Sequence, residues 1–162
     1  MDIDPALPDD RLTGPGNGGR RAITAAVTSG VCRLFRAHGI MPLTEFRLAD
    51  GRRVDVAGLD RSGALCFVEV KSAPADLMAD RKWPCYLGYC TRFYFAVDGA
   101  FPRPLLEARE MMPERCGIII ADRFDGAIIR PAAIVPPHAT RRRATILRFA
   151  RQAAGRLDVA GV

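Results

Sequence analysis

The sequence predicts one α/β (α+β) domain, a central mixed β-sheet flanked by helices. Three observations carry that prediction. Between positions 41 and 72, apolar and polar residues alternate in three short runs separated by glycine-containing turns. Before and after those runs, apolar residues recur at helical spacing. Gly117 to Ala121 is a continuous apolar run, typical of a strand buried on both faces.

Taken in order, residues 1–19 contain Pro5, Pro8, Pro15 and four glycines and offer little to bury, so a disordered acidic tail is expected. The folded domain is expected over 20–157. Arg21 to His38 carries Ile23, Val27, Val31, Leu34 and Phe35 at helical spacing, with Gly39 placed to stop the helix. Gly30, inside it, leaves room for another element to approach closely. After the meander, Pro74 and Asp76 suit the first turn of a helix, and Pro84 breaks or kinks it ten residues on. A second helical piece is expected through about Cys90. Thr91 to Val97 is an aromatic-rich strand, Pro102 to Arg115 a helix, and Ala127 to Arg130 a short strand. The tail from about 140 to 157 is a basic amphipathic helix. Its apolar stripe is Ala144, Leu147, Ala150, Ala154 and Leu157.

The meander holds the chemistry. A three-residue loop Arg61-Ser62-Gly63, with Gly63 left-handed, pairs Asp60 with Ala64 and puts Asp55 opposite Glu69 and Arg53 opposite Lys71. A three-residue turn at Ala49-Asp50-Gly51 likewise puts Glu45 opposite Asp55 and Arg47 opposite Arg53. A two-residue Asp-Gly turn competes; it would slip the pairing by one and reverse every side chain of the first strand. The apolar pattern favours the three-residue choice, which gathers Phe46, Leu48, Val54, Val56, Cys66, Val68 and Val70 on one face.

The other face is graded: Leu59 and Leu65 first, then Leu43, Ala57 and Phe67, then the acids Glu45, Asp55 and Glu69, then Arg47, Arg53 and Lys71. An ordinary solvent face is polar along its whole length. Here the apolar end has to be covered and the charged end left open, which makes a cleft. Carboxylates directly opposite one another sit about 4.5–5.5 Å apart at Cβ. They repel unless a proton or cation lies between them, and a divalent ion with oxygen ligands is the natural occupant.

Composition is that of an ordinary globular domain, and no apolar run approaches the roughly 20 residues of a membrane helix. The N-terminus lacks the basic and apolar regions of a secretory signal, so a cytoplasmic location and no membrane partner are expected. Five cysteines form no Cys-x-x-Cys pair, which favours buried reduced thiols over zinc or disulfides. The net charge is +6. Residues 1–19 hold four Asp and one Arg, whereas residues 139–162 hold six Arg and one Asp. That asymmetry suits an anionic partner, most often nucleic acid, though a solvated arginine face reads equally well.

An Asp, a hairpin, then Glu-x-Lys followed directly by a helix resembles the PD-(D/E)xK nuclease superfamily with its restriction-endonuclease-like fold. The matching residues are Asp55, Glu69 and Lys71. Lys82 and Tyr86 stand where some members carry Gln-x-x-x-Tyr. A closer resemblance, from about Ala22 to Arg151, is to bacterial MmcB-like DNA repair proteins. It runs through Val-Thr-Ser-Gly-Val-Cys-Arg-Leu (27–34), Arg-Arg-Val-Asp-Val (52–56), Val-Glu-Val-Lys-Ser (68–72), Asp-Arg-Lys-Trp-Pro-Cys-Tyr (80–86) and Arg-Phe-Tyr-Phe-Ala-Val (92–97).

The resemblance implies a DNA repair role, DNA as partner (single-stranded or damaged), a nucleoid-associated location, and magnesium or manganese as cofactor. A homodimer stays open. Asp55 and Glu69, with the Val70 carbonyl, are the expected metal ligands, and Lys71 the residue that orients water or neutralises charge. Many superfamily members place a further acid on the first helix; residues 21–38 contain none, and Glu45 is the candidate to replace it. Arg47, Arg53, Lys82 and Arg92 are the expected phosphate path. Trp83 and Tyr86 either stack on bases or pack beneath the kinked helix, with packing favoured for Trp83. The alternative function is a DNA-binding or adaptor protein that keeps the nuclease fold and cuts nothing.

Overall fold

The computed structural model describes residues 16–159. Most of the expected acidic tail lies outside them. The first helix, α1, spans Asn17–Ala37, so it begins four residues before the expected start and takes in residues 17–19. A six-stranded open sheet follows, in sequence order: β1 Met41–Arg47, β2 Arg53–Leu59, β3 Leu65–Val70, β4 Arg92–Val97, β5 Cys116–Ala121 and β6 Gly126–Arg130. The β1–β2, β2–β3 and β5–β6 pairs are antiparallel, and β3–β4 and β4–β5 are parallel. The sheet is therefore mixed, as the alternating runs and the continuous β5 run imply.

Both hairpin registers follow the three-residue turns. Arg47 pairs with Arg53 and Leu59 with Leu65, and Gly51 and Gly63 take φ of 85° and 77°. The expected single apolar face, however, is divided. Val56, Cys66, Val68 and Val70 pack under α1 with Val27, Val31 and Phe35, whereas Phe46, Leu48 and Val54 join Phe67 and Phe149 on the opposite side. Glu45 accounts for the β1 part of the split: its φ of 53° is left-handed. One such residue rotates the strand locally, so Leu43 and Phe46, three apart, share a face.

The core on that opposite side is closed by α2 Pro74–Ala79, by a 3₁₀ segment Trp83–Gly88, and by α3 Ala139–Val159. Trp83 stacks on Phe93 at 5.6 Å and meets Phe95 edge-on at 5.0 Å. The apolar rows of the meander are thus covered, and the charged rows are not. On the α1 side, a Cβ on Gly30 would stand 2.2 Å from the Asp122 carbonyl oxygen, so only glycine lets the β5–β6 turn approach the helix so closely.

Two expectations fail here. Pro102 to Arg115 is not one helix but two 3₁₀ turns, Arg103–Leu106 and Arg109–Met111, separated by extended Ala108. Only Leu106 in these turns is fully buried, so no apolar stripe demands continuity. In α3 the packing face is Thr145 and Phe149, with Ile146, Gln152 and Ala153 partly covered. The expected stripe points outward, leaving Leu147 57 % and Leu157 62 % exposed. Gln152 decides the orientation: its side chain accepts from the Arg47 N–H at 3.0 Å and donates to the Arg47 carbonyl at 2.7 Å. It thereby satisfies part of the open edge of β1 as a partner strand would.

Candidate metal and nucleic-acid site

At the C-terminal end of β3 the meander parts. Backbone pairing of β2 with β3 runs from Leu59–Leu65 to Val56–Val68 and stops. One step further, where Asp55 faces Glu69, side chains take over the orphaned backbone groups. The Val70 N–H donates to Asp55 Oδ2 at 2.8 Å, and the Tyr86 hydroxyl donates to the Arg53 carbonyl at 3.0 Å. The parting opens a cleft of about 1,100 Å³ lined by Arg47, Arg52, Arg53, Lys71, Lys82 and Tyr86 and by five acids, Asp50, Asp55, Glu69, Asp76 and Asp80.

Its floor is buried charge. Glu69 is 9 % and Lys71 5 % exposed. The Lys71 ammonium donates to Asp80 Oδ2 at 2.5 Å and to Glu69 Oε1 at 3.4 Å. Glu69 Oε2 has no hydrogen-bond partner, and it is the one such buried side-chain oxygen among the described residues. Burial, reinforced by the Asp55 charge, pushes the Glu69 carboxyl up to about 8. Burial also raises Asp55, against the pull of the Val70 N–H and Lys71. Burial pushes Asp80 up too, but hydrogen bonds from Lys71 and the Lys82 N–H outweigh it and hold Asp80 below the usual carboxylate range.

The structure therefore brings Asp55, Glu69, Lys71, Arg47, Arg53 and Lys82 to one cleft. Glu45 is engaged by an ion pair to Arg53, yet its charge still reaches Asp55 and helps raise it. Its left-handed backbone sends the carboxylate to Arg53 Nε at 2.5 Å, half exposed, and it does not line the cleft. Arg92 is elsewhere. It pairs with Cys66 at the opposite end of the parallel strands and neighbours Asp60 at 3.9 Å, in a separate cavity beneath α1. Because β4 runs parallel to β3, its first residue cannot lie beside the last residue of β3. Tyr86 is 3 % exposed and stacks on Phe93, so it packs rather than offering a face to bases, as does Trp83.

Asp50, Arg52, Asp76 and Asp80 line the cleft from outside the strands, where alternation does not reveal them. Asp76, in the first turn of α2, and Asp80, its extended C-cap, stand four apart in the sequence. Arg52 precedes β2, where period two does not apply. Among the described residues, no three His, Cys, Asp or Glu side chains form a group able to hold a metal ion. The unpartnered Glu69 oxygen beside Asp55 nevertheless fits a hard cation held by two carboxylates, with backbone or water completing its shell. Of the five cysteines, all are free, and only Cys85 is exposed. No helix among the described residues is long and apolar enough to cross a membrane.

An open mixed sheet with helices on both faces and a charged cleft where two strands part is consistent with a restriction-endonuclease-like fold. The model of the family described as DNA repair protein MmcB-like matches residues 13–161, and the chain belongs to that family. Among solved structures, the chain is similar to "SPO1766 protein of unknown function" from Silicibacter pomeroyi. The two are 40 % identical with a TM-score of 0.76, over 85 % of this chain and 90 % of the other. Pyrococcus furiosus SfsA in complex with Ca2+ matches at 14 % identity and a TM-score of 0.35, over 67 % of this chain and 61 % of the other. No curated protein matches the chain.

Proposed function

We propose that this DNA repair family member is a divalent-metal-dependent DNA nuclease whose site is the cleft at the end of β3. The observation that carries the reading is Glu69, a buried carboxyl held beside Asp55 with one oxygen unpartnered. Such an arrangement costs stability, and a functional role is what would retain it. Five acids and five bases line the cleft; once Glu69 ionises their charges balance, so phosphate binding gains from a divalent ion there. Magnesium or manganese, when bound, supplies a Lewis acid that lowers the pKa of a water and polarises a phosphate oxygen.

The remaining work falls to the chain. Asp55 and Glu69 hold the cation, with the Val70 carbonyl as a third ligand. Lys71, oriented by Asp80, places a positive charge two residues beyond Glu69, where it neutralises charge developing on the phosphate. Arg47, Arg52, Arg53 and Lys82 line the approach and steer the DNA backbone. Glu45, on this reading, positions Arg53 rather than touching the metal.

A second reading, a DNA-binding adaptor that cuts nothing, is favoured by one specific observation: the Lys71 ammonium is already engaged by Asp80 at 2.5 Å. The test compares the native chain with Glu69→Ala and Lys71→Ala on labelled single-stranded, nicked, flapped and duplex DNA, with magnesium or manganese. Cutting by the native chain and its loss in both variants supports the nuclease. Binding without cutting on every substrate leaves the adaptor. Variants that lose only stability make the cluster a buried ion network that holds the sheet.

A further inference from the structure

Beside the acid cleft lies a second cavity that the nuclease reading leaves unused. Its volume is about 450 Å³, inside the range of about 300–1,000 Å³ common for small-ligand sites. Leu48 and Ala144 supply apolar lining, Tyr89 an aromatic ring, and Arg141, Arg148 and His138 the basic rim. The Arg141 guanidinium lies 5.2 Å from the Tyr89 ring centroid and donates to the Gly88 carbonyl at 3.4 Å. The Tyr89 hydroxyl donates to Asp50 Oδ2 at 3.3 Å, and Asp50 lines the acid cleft. The two cavities therefore meet across the β1–β2 turn.

This lining selects its ligand. An aromatic ring beside aliphatic side chains suits the flat face of a base, and guanidinium groups suit the phosphate attached to it. We propose that the cavity takes one unpaired nucleotide of the strand whose phosphates lie in the acid cleft, so that the preferred DNA carries a base outside the duplex. The inference rests on the DNA reading of that cleft. Tyr86 borders the cleft and Tyr89, three residues on, the cavity, so the two sites adjoin. A fully paired duplex keeps its bases in the stack and gains nothing from the cavity unless one is extruded.

The test is fluorescence anisotropy of the full chain, with calcium in place of magnesium so that the cleft can hold a cation, on two duplexes identical but for a single unpaired adenine. The native chain is expected to bind the bulged duplex about tenfold more tightly, a factor typical of one base stacked on an aromatic side chain. Ala144→Trp, at an exposed helix position, fills the cavity, and Tyr89→Leu removes its ring; each is expected to erase the preference. Equal affinity of the native chain for both duplexes, or a preference that survives both variants, overturns the inference and leaves the cleft reading standing. Free dAMP binding as tightly as the bulged duplex, and lost in Ala144→Trp, assigns the cavity to a soluble nucleotide and also overturns it. Failure to bind DNA of any kind sinks the cleft reading and this one together.

Discussion

The Lys71 ammonium and the Asp80 carboxylate meet at 2.5 Å at the floor of the cleft, joining the end of β3 to the residue that caps α2. Removing one partner leaves the other charged and poorly solvated. Asp80→Ala is expected to lower stability by about 3 kcal/mol in urea unfolding. The double variant Lys71→Met, Asp80→Leu is expected to recover part of that loss, because no unpaired ammonium remains, the rest being kept by Glu69, which loses its contact to Lys71. A double variant no more stable than Asp80→Ala argues that the pair is not what ties α2 to the sheet.

Glu69 sets a pH dependence. Its folded pKa, about 8, lies above the ordinary 4.5. Between those values the folded chain binds the proton that the unfolded chain has released, so lower pH favours folding. In EDTA, the Glu69 contribution to stability is expected to be nearly full at about pH 5, to decline as pH rises, and to be lost past pH 8, a change on the order of 5 kcal/mol at about 1.4 kcal/mol per pH unit. Thermal melts from pH 5 to 9 check this, and Glu69→Gln is expected to flatten the curve.

A cation bound between Asp55 and Glu69 would oppose that slope. Magnesium or manganese at one hundred times its dissociation constant is expected to stabilise the fold by about 2.7 kcal/mol, with a larger effect at pH 8 than at pH 6 as protons leave Glu69. Asp55→Asn and Glu69→Gln are each expected to abolish the metal-dependent rise in Tm. Stabilisation that persists in both variants puts the ion elsewhere.

The arginines separate by place. Arg53→Ala and Lys82→Ala, in the cleft, are each expected to lower DNA affinity and to shallow the log–log salt slope by about one. Arg92→Ala, at the far end of the strands, is expected to leave both unchanged. Titrations at several salt concentrations distinguish them, and an Arg92→Ala effect equal to that of Arg53→Ala would move the DNA path to the other end of the sheet.

Two residues of α3 test its orientation. Phe149→Ala, against Phe46 at 5.8 Å, is expected to cost about 3–5 kcal/mol. Leu147→Ala, on the exposed face, is expected to stay within about 0.5 kcal/mol. The reverse ranking would mean that the helix packs through its Leu147–Leu157 stripe.

The order of elements, the two hairpin registers and the meeting of Asp55, Glu69 and Lys71 are legible in the chain itself. They depend on neighbours a few residues apart: a glycine able to take positive φ at 51 and 63, alternation along β2 and β3, and the Glu-x-Lys spacing. What tertiary structure alone decided lies where two distant segments compete for the same surface. α3 carries apolar residues on two sides, and its burial through Phe149 rather than Leu147 follows from the hydrogen bonds Gln152 makes to the edge of β1, over a hundred residues away. Arg92 could be placed only once β4 was known to run parallel to β3, which carries its first residue away from the acids. Asp80 reaches Lys71 because α2 folds back over the sheet, and Glu45 leaves the acid row because its backbone turns left-handed. Local chemistry set the strands and turns; the choice of which faces meet came from packing, since burial rewards contact without regard to distance along the chain.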